Sequence, residues 1–200
     1  TQTTTITVAA TNDAPVVQLG GAGVDDDAVE FTEGSGPVTI VADGGPGFIL
    51  TDPDNTVATT LEGATATIAL SGISDGAAET LILGATTNLT VATVTDGAAI
   101  TSITLTGTAA TALTDFEAAI AAITYNNTSD EPTAGDRTVT VTFTDGPSTD
   151  PGALSDTQTT TITVAATNDA PVVQLGGAGV DDYAVEFTEG RKSTRLNSSH

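Results

Sequence analysis

Apolar and polar residues alternate with a period of two along most of this chain, the spacing of half-buried strands. In Thr1–Ala10, Ile6 and Val8 share one face while Thr3, Thr5 and Thr7 share the other, and the β-branched content suits a strand. Asn12-Asp13-Ala14-Pro15 interrupts the pattern, because proline cannot donate to a central ladder. Val16–Leu19 predicts a short strand, followed by a glycine-rich, acidic turn through Gly20–Asp27. Ala28–Thr32 and Pro37–Val41 read as strands on either side of Glu33-Gly34, with loops at Asp43–Gly47 and Thr51–Asn55. Ala64–Leu70 and Leu81–Leu83 follow, and Leu89–Val94 and Ile100–Leu105 flank Asp96-Gly97 as a hairpin. One stretch changes period: Leu113, Phe116, Ile120 and Ile123 fall on one helical face, with Thr114 and Glu117 spaced as a capping box. The helix is expected to pack across an open end of the sheets and to stop at Tyr125-Asn126-Asn127. Thr138–Phe143 is a strand, Asp145-Gly146 a turn, Asp150–Asp156 a loop, and Thr157 opens the last strand. Many short strands with turn residues between them and one minor helix predict an all-β sandwich.

The last strand is also the first. Thr157–Gly190 repeats Thr1–Gly34 with a single difference, Asp27 against Tyr183. An offset of 156 residues is too long for a solenoid unit and suits a small domain, so the pattern predicts domains in tandem. Residues 1–13 then read as the last strand and linker of a preceding repeat, 14–169 as one complete repeat, and 170–190 as the start of the next. The tail Arg191–His200 carries three of the four basic residues and the single histidine, and it breaks with the rest in both charge and pattern. It resembles the conceptual translation of a sequencing adapter and is expected to be disordered.

Arg137 is the one base before that tail, set against all 26 acids. Such a surface repels nucleic acid and anionic membranes and favours divalent cations or a salty medium. With no cysteine, stability must come from packing or metal. No apolar run is long enough to span a bilayer, so no membrane insertion is expected. The nucleophile–base pairs of hydrolases are missing and tryptophan is absent, so the chain does not read as an enzyme.

Most carboxylates lie in turns. Calcium takes 6–8 oxygen ligands, which loops at the end of a sandwich supply where two domains abut. The candidates are Asn12 and Asp13, Glu33, Asp52 with Asp54, Asp130 with Glu131, and Asp145. The competing reading is that Asp and Asn occupy turns for their own backbone hydrogen bonds.

In order along one period, five segments resemble the cadherin repeat in the form found in large bacterial tandem-repeat (RTX-type) adhesins. Ala14-Pro15-Val16 is similar to its opening, and Phe31-Thr32-Glu33-Gly34 before Pro37–Val41 to its glutamate segment. Thr51-Asp52-Pro53-Asp54 is similar to the DxD element, Val139–Gly146 to the strand ending in Asp-Gly, and Thr159–Pro171 to the final strand and linker. The resemblance implies a cadherin- or immunoglobulin-like Greek-key β-sandwich, with the helix in an insertion, and Ca2+ at the junctions. Glu33, Asp130 and Glu131 would meet Asn168 and Asp169 at the C-terminal junction, and Asp52, Asp54 and Asp145 would meet Asn12 and Asp13 at the N-terminal one. Ala166 and Ala170 stand where the family has two further linker ligands, and no arginine separates Asp130 from Glu131. The unit is longer than an ordinary cadherin repeat by roughly forty to fifty residues, mostly between Asn55 and Asn126. That region is similar to repeats of chondroitin-sulfate-proteoglycan type.

Two further patterns are discounted. Gly20–Asp25 fits one calcium nonapeptide, but such repeats bind between successive turns and a solitary copy does not work. Thr3, Thr5 and Thr7 suggest an ice-binding row, but no second matched strand is evident in the sequence. The expected role is a calcium-stiffened extender of an extracellular, secreted or surface-anchored adhesin. Its partners would be neighbouring repeats of the same chain, with host or matrix glycans or proteins reached through other domains. The alternatives are a module that itself binds a glycan or protein, and an accessory repeat of a polysaccharide-degrading enzyme.

Overall fold

Inward-facing Val, Ile, Leu and Phe on alternate positions build one core between facing layers. A computed structural model describes residues 2–6, 11–42, 48–54, 61–146 and 152–170. The strands are β1 (Val16–Gln18), β2 (Asp27–Thr32), β3 (Val38–Thr39), β4 (Ile49–Thr51), β5 (Thr65–Ser71), β6 (Glu79–Ile82), β7 (Leu89–Asp96), β8 (Ala99–Gly107), β9 (Thr124–Asn127), β10 (Gly135–Thr144) and β11 (Ser155–Ala165). One helix, α1 (Leu113–Ala121), stands between β8 and β9. The main sheet runs β2-β11-β10-β5-β8-β7; β3-β9-β6 and β1-β4 form smaller sheets that share its core. The chain is an all-β sandwich with one short helix.

Registers show why the main sheet packs densely. Phe143 lies opposite Ala66, Val141 opposite Ile68 and Val139 opposite Leu70, so large side chains meet small or aliphatic ones across β10–β5. All six are buried, each large aliphatic contributing about 1.5–3 kcal/mol relative to exposure. On β11, Ile162 and Val164 are buried while Thr161 is half-buried and Thr163 exposed, as the alternation predicts. Val164→Ala is expected to cost about 1–2 kcal/mol by chemical denaturation and Thr163→Ala much less, because only the first opens a cavity. Equal costs would show the register to be wrong.

Five expectations are corrected. Residues 2–6 form no strand, and Ile6 is 83% exposed, although the same residue type at Ile162 is fully buried. β11 lies between β10 and β2 in the main sheet. The helix begins at Leu113, not at a Thr114–Glu117 box: Ala112 N–H donates to the Asp115 carboxylate at 2.9 Å. Tyr125-Asn126-Asn127 is the body of β9 rather than a helix stop, and Ile49–Thr51 is a strand. Finally, the row Thr3, Thr5 and Thr7 recurs as Thr159, Thr161 and Thr163, and the first two of these lie opposite Thr140 and Thr138 on β10, within a wider face of threonines in register. Thr157, Thr142, Thr67 and Thr104 lie in register across β11, β10, β5 and β8, as do Thr144, Thr65, Thr106 and Thr90 across β10, β5, β8 and β7. The twist of a sheet this wide works against matching a flat lattice.

Two turns lie where the sequence places them. Asp96-Gly97 turns the β7–β8 hairpin, with Gly97 at φ +63°, and Gly20–Asp26 is a turn closed by Gly20 N–H to Val24 O. α1 lies against β4 and sets Phe116 edge-on to Phe143, centroids 5.1 Å apart. No described helix is long and apolar enough to cross a membrane. Chain contacts divide the molecule into Thr1–Thr167 and Asn168–His200, a boundary two residues before the one read from the repeat. Asp43–Gly47, Tyr183 with the rest of the second copy beyond Ala170, and the Arg191–His200 tail lie outside the described residues.

Candidate functional site

At the end of the sandwich where the chain enters, the hinge residues meet two acidic turns. Asn12 Nδ2 donates to Asp145 Oδ2 at 2.7 Å and to Gly152 O at 2.8 Å. The Asp13 amide donates to the Asp54 carboxylate, and the Asp54 amide donates to Asp52 Oδ1 at 3.0 Å. Asp145 Oδ1 also accepts the Leu154 amide at 2.9 Å. Proline at 53 and the Asp-Gly turn at 145–146 hold these carboxylates on tight loops at the strand ends. Asp52 is buried, while Asn12, Asp13 and Asp54 are exposed. The five residues expected at the entry junction are therefore neighbours. Every ligand atom these side chains offer through Asp or Asn carbonyl and carboxyl groups is a hard oxygen, the set calcium takes. No three of the four carboxylates come within 4.8 Å of one another, so they do not form a closed cage.

The exit end carries a second, smaller group. Glu33 Oε2 accepts the amide of Thr167 at 2.7 Å and its hydroxyl at 3.2 Å. Glu33 and Asp130 bring carboxylate oxygens within 4.8 Å of each other. Glu131 is exposed, its amide donating to Ser129 Oγ at 3.3 Å. Asn168 and Asp169 open the second unit, where both are exposed and Asn168 Nδ2 donates to Asp169 O at 3.2 Å.

Asp130 sits on a loop clamped by a buried charged network absent from the sequence-based candidates. Arg137, on β10, is 1% exposed and Glu79, on β6, fully buried. Arg137 Nε and Nη2 each donate to a different oxygen of Glu79 at 2.9 Å. Tyr125 OH donates to Glu79 at 3.0 Å, and the Ser74 and Asp75 amides donate at 2.9 and 2.8 Å. Asp75 meets Arg137 at 3.3 Å and accepts from Asn127 Nδ2 at 2.7 Å. The loop hangs on this network through Thr133. Its amide and hydroxyl donate to Asp75, its carbonyl accepts from Arg137, and the Ser129 amide donates to Asn127. Burial opposes ionisation of Glu79, but the hydrogen bonds from Arg137, the two amides and Tyr125 outweigh it and hold its carboxyl below the usual range. Burial likewise opposes ionisation of Asp75, and bonds from Thr133 and Asn127 with the Arg137 charge outweigh it in the same direction. Burial and the adjacent Glu79 charge push the Tyr125 phenol up. The signal for Arg137 was in the sequence: it stands in phase with Val139, Val141 and Phe143, the inward face of its strand.

Several other acids serve the backbone. Asp156 accepts the Val17 amide at 2.8 Å, and Asp26 accepts the Thr159 amide at 2.7 Å, which joins β11 to the turn before β2. No family model, curated protein or solved structure matches this chain.

Proposed function

We propose that this chain is an extender repeat of a secreted or surface-anchored adhesin, in which calcium bound between successive repeats stiffens the hinge. One observation carries the reading. The same Thr-Asn-Asp hinge occurs twice, and the two copies serve opposite ends of one sandwich: Asn12 and Asp13 lie against Asp145 and Asp54, and Thr167 lies against Glu33. A tandem junction would bring both acid sets to one hinge. Without a cation those carboxylates repel, and the hinge samples many angles. A hard cation that takes oxygens from both sides selects one. Asp52, Asp54 and Asp145 would supply ligands from the downstream repeat, Glu33 and Asp130 from the upstream one, and the Asn-Asp pair from the linker.

Extracellular modules bind calcium with dissociation constants of about 10⁻⁴–10⁻³ M. At roughly a hundredfold excess, binding adds about 2.7 kcal/mol to the form that binds, enough to favour one angle strongly. Small-angle scattering of a two-repeat chain tests this. Its maximum dimension is expected to lengthen and its distance distribution to sharpen when chelator is replaced by about 10 mM calcium. Asp52→Asn with Asp54→Asn in the downstream repeat keeps the hydrogen-bond acceptors, so each domain should melt as before while the response disappears. Identical curves with and without calcium would reduce the acidity to solvation.

A further inference from the structure

The main sheet has two edges, and they differ. β2 carries Asp27 and Glu30, with Asp25 and Asp26 directly before it. β7 carries no charge before its last residue, and no charged side chain occurs anywhere from Thr80 to Thr95 in a chain with 26 acids. Natural edge strands are blunted by charge, proline, shortness or a bulge. β7 runs for eight residues without proline. Its register shift against β8, between Val94 and Thr95, places the extra residue, Thr101, in β8 and leaves β7 regular. Every residue from Thr90 to Asp96 is exposed, and Val91 and Val94 show 42% and 63% of their surface on opposite faces. Among the described residues only β8 pairs with it.

We propose that the β7 edge is a self-association surface that receives the β7 of a second copy of this chain, antiparallel, about a two-fold axis. An open edge offers alternating amide and carbonyl groups, which another strand satisfies completely. Like charge on the acidic β2 edge and in the turns at both ends of the sandwich disfavours approach there, whereas β7 carries none before Asp96. Centred on Ala92, the pairing sets Thr90 against Val94 and Val91 against Thr93, β-branched pairs that stabilise a ladder. Asp96 then falls opposite Asn88 of the second copy, so no carboxylates face each other. The joined sheet would extend the threonine rows of both copies. A single strand pair buries less than a stable dimer needs, so one repeat associates weakly. Repeats at a 156-residue interval would add such contacts along two neighbouring molecules. The inference is independent of calcium.

Sedimentation velocity of the full 200-residue chain, in chelator, tests it from micromolar to near-millimolar concentration at low and high sodium chloride. The expected result is a reversible monomer–dimer equilibrium in which the dimer fraction rises with concentration. It should also rise with salt, which shortens the Debye length from about 10 Å at 0.1 M to about 3 Å at 1 M. Hydrogen exchange should show β7 amides gaining protection with concentration while β2 amides do not. Val91→Glu with Val94→Glu should lower the dimer population by roughly tenfold or more without changing the melting temperature. A chain that stays monomeric at both salts overturns the proposal, as does a dimer that survives the double substitution. So does β7 protection that is already complete in the dilute monomer, which would mean its own chain covers the edge. Should the double variant misfold, the concentration dependence of exchange in the wild-type chain decides alone.

Discussion

Replacing Arg137 by methionine is expected to lower stability by about 3–5 kcal/mol, among the largest effects of any single substitution in this chain. The side chain is buried, and its removal strands the fully buried Glu79 with the amides of Ser74 and Asp75 and the Tyr125 hydroxyl as its remaining donors. Denaturant titration measures the loss directly, and a domain of this size should lose about 10 °C in melting temperature. Arg137→Lys keeps the charge but not the fork that reaches both oxygens of Glu79, so it should recover only part of the loss. pH separates this account from a simple packing defect. In the wild type, Glu79 and Asp75 have folded-state pKa values below the ordinary 4.5 and 3.8. Their contribution is therefore complete above those ordinary values and is lost as pH falls through the lower folded ones. In Arg137→Met the buried Glu79 carboxyl is held less strongly in its charged form, and acid relieves that burden. The deficit should therefore shrink as pH falls from 7 towards 4. A deficit that is constant with pH would mean that the ion pair is not its source. The same substitution also frees the loop that bears Asp130, through the lost bond to the Thr133 carbonyl.

Gly107→Ala is expected to destabilise by about 3 kcal/mol, the upper end of overpacking. A Cβ at this position would stand 2.0 Å from the carbonyl oxygen of Leu61 and 3.5 Å from the Phe116 ring. The first obstacle is backbone, which cannot rotate aside. Gly107 also receives the Gly63 amide on its carbonyl and donates its own amide to Ala64 O, so the turn before β5 is bonded to the end of β8 across this gap. Moving the chain to admit a methyl group would break that pair of bonds or lift α1 from the core. Melting or denaturant curves against Gly97→Ala make the comparison. Gly97 lies in the exposed hairpin turn, and a Cβ there meets nothing nearer than 3.7 Å, so its cost is the strain of φ +63° alone. Equal effects would show that close approach at Gly107 is not what requires glycine.

The alternation of Val139, Val141 and Phe143 with threonine determined β10, and the Asp-Gly turn determined the β7–β8 hairpin, because strand period and turn chemistry act over a few residues. The same local rules brought most of the strands and the sandwich class into view. The grouping of Asn12, Asp13, Asp52, Asp54 and Asp145 came only from the resemblance to a known repeat, and hydrogen bonds within this chain bring those five together. Sequence misplaced the helix cap by reading spacing where hydrogen-bond geometry decides, and it took Tyr125-Asn126-Asn127 for a stop because Asn favours turns in isolation. Only the tertiary structure decided the rest. Arg137 and Glu79 lie 58 residues apart and become a pair only when β6 and β10 face each other across the core. The sharpest case is the repeat itself. Gln158–Ile162 forms strand, and the identical residues at 2–6 do not. Local propensity is the same in both copies, but a strand's backbone groups and its apolar face need partners, and only β11 has β10 and β2 beside it.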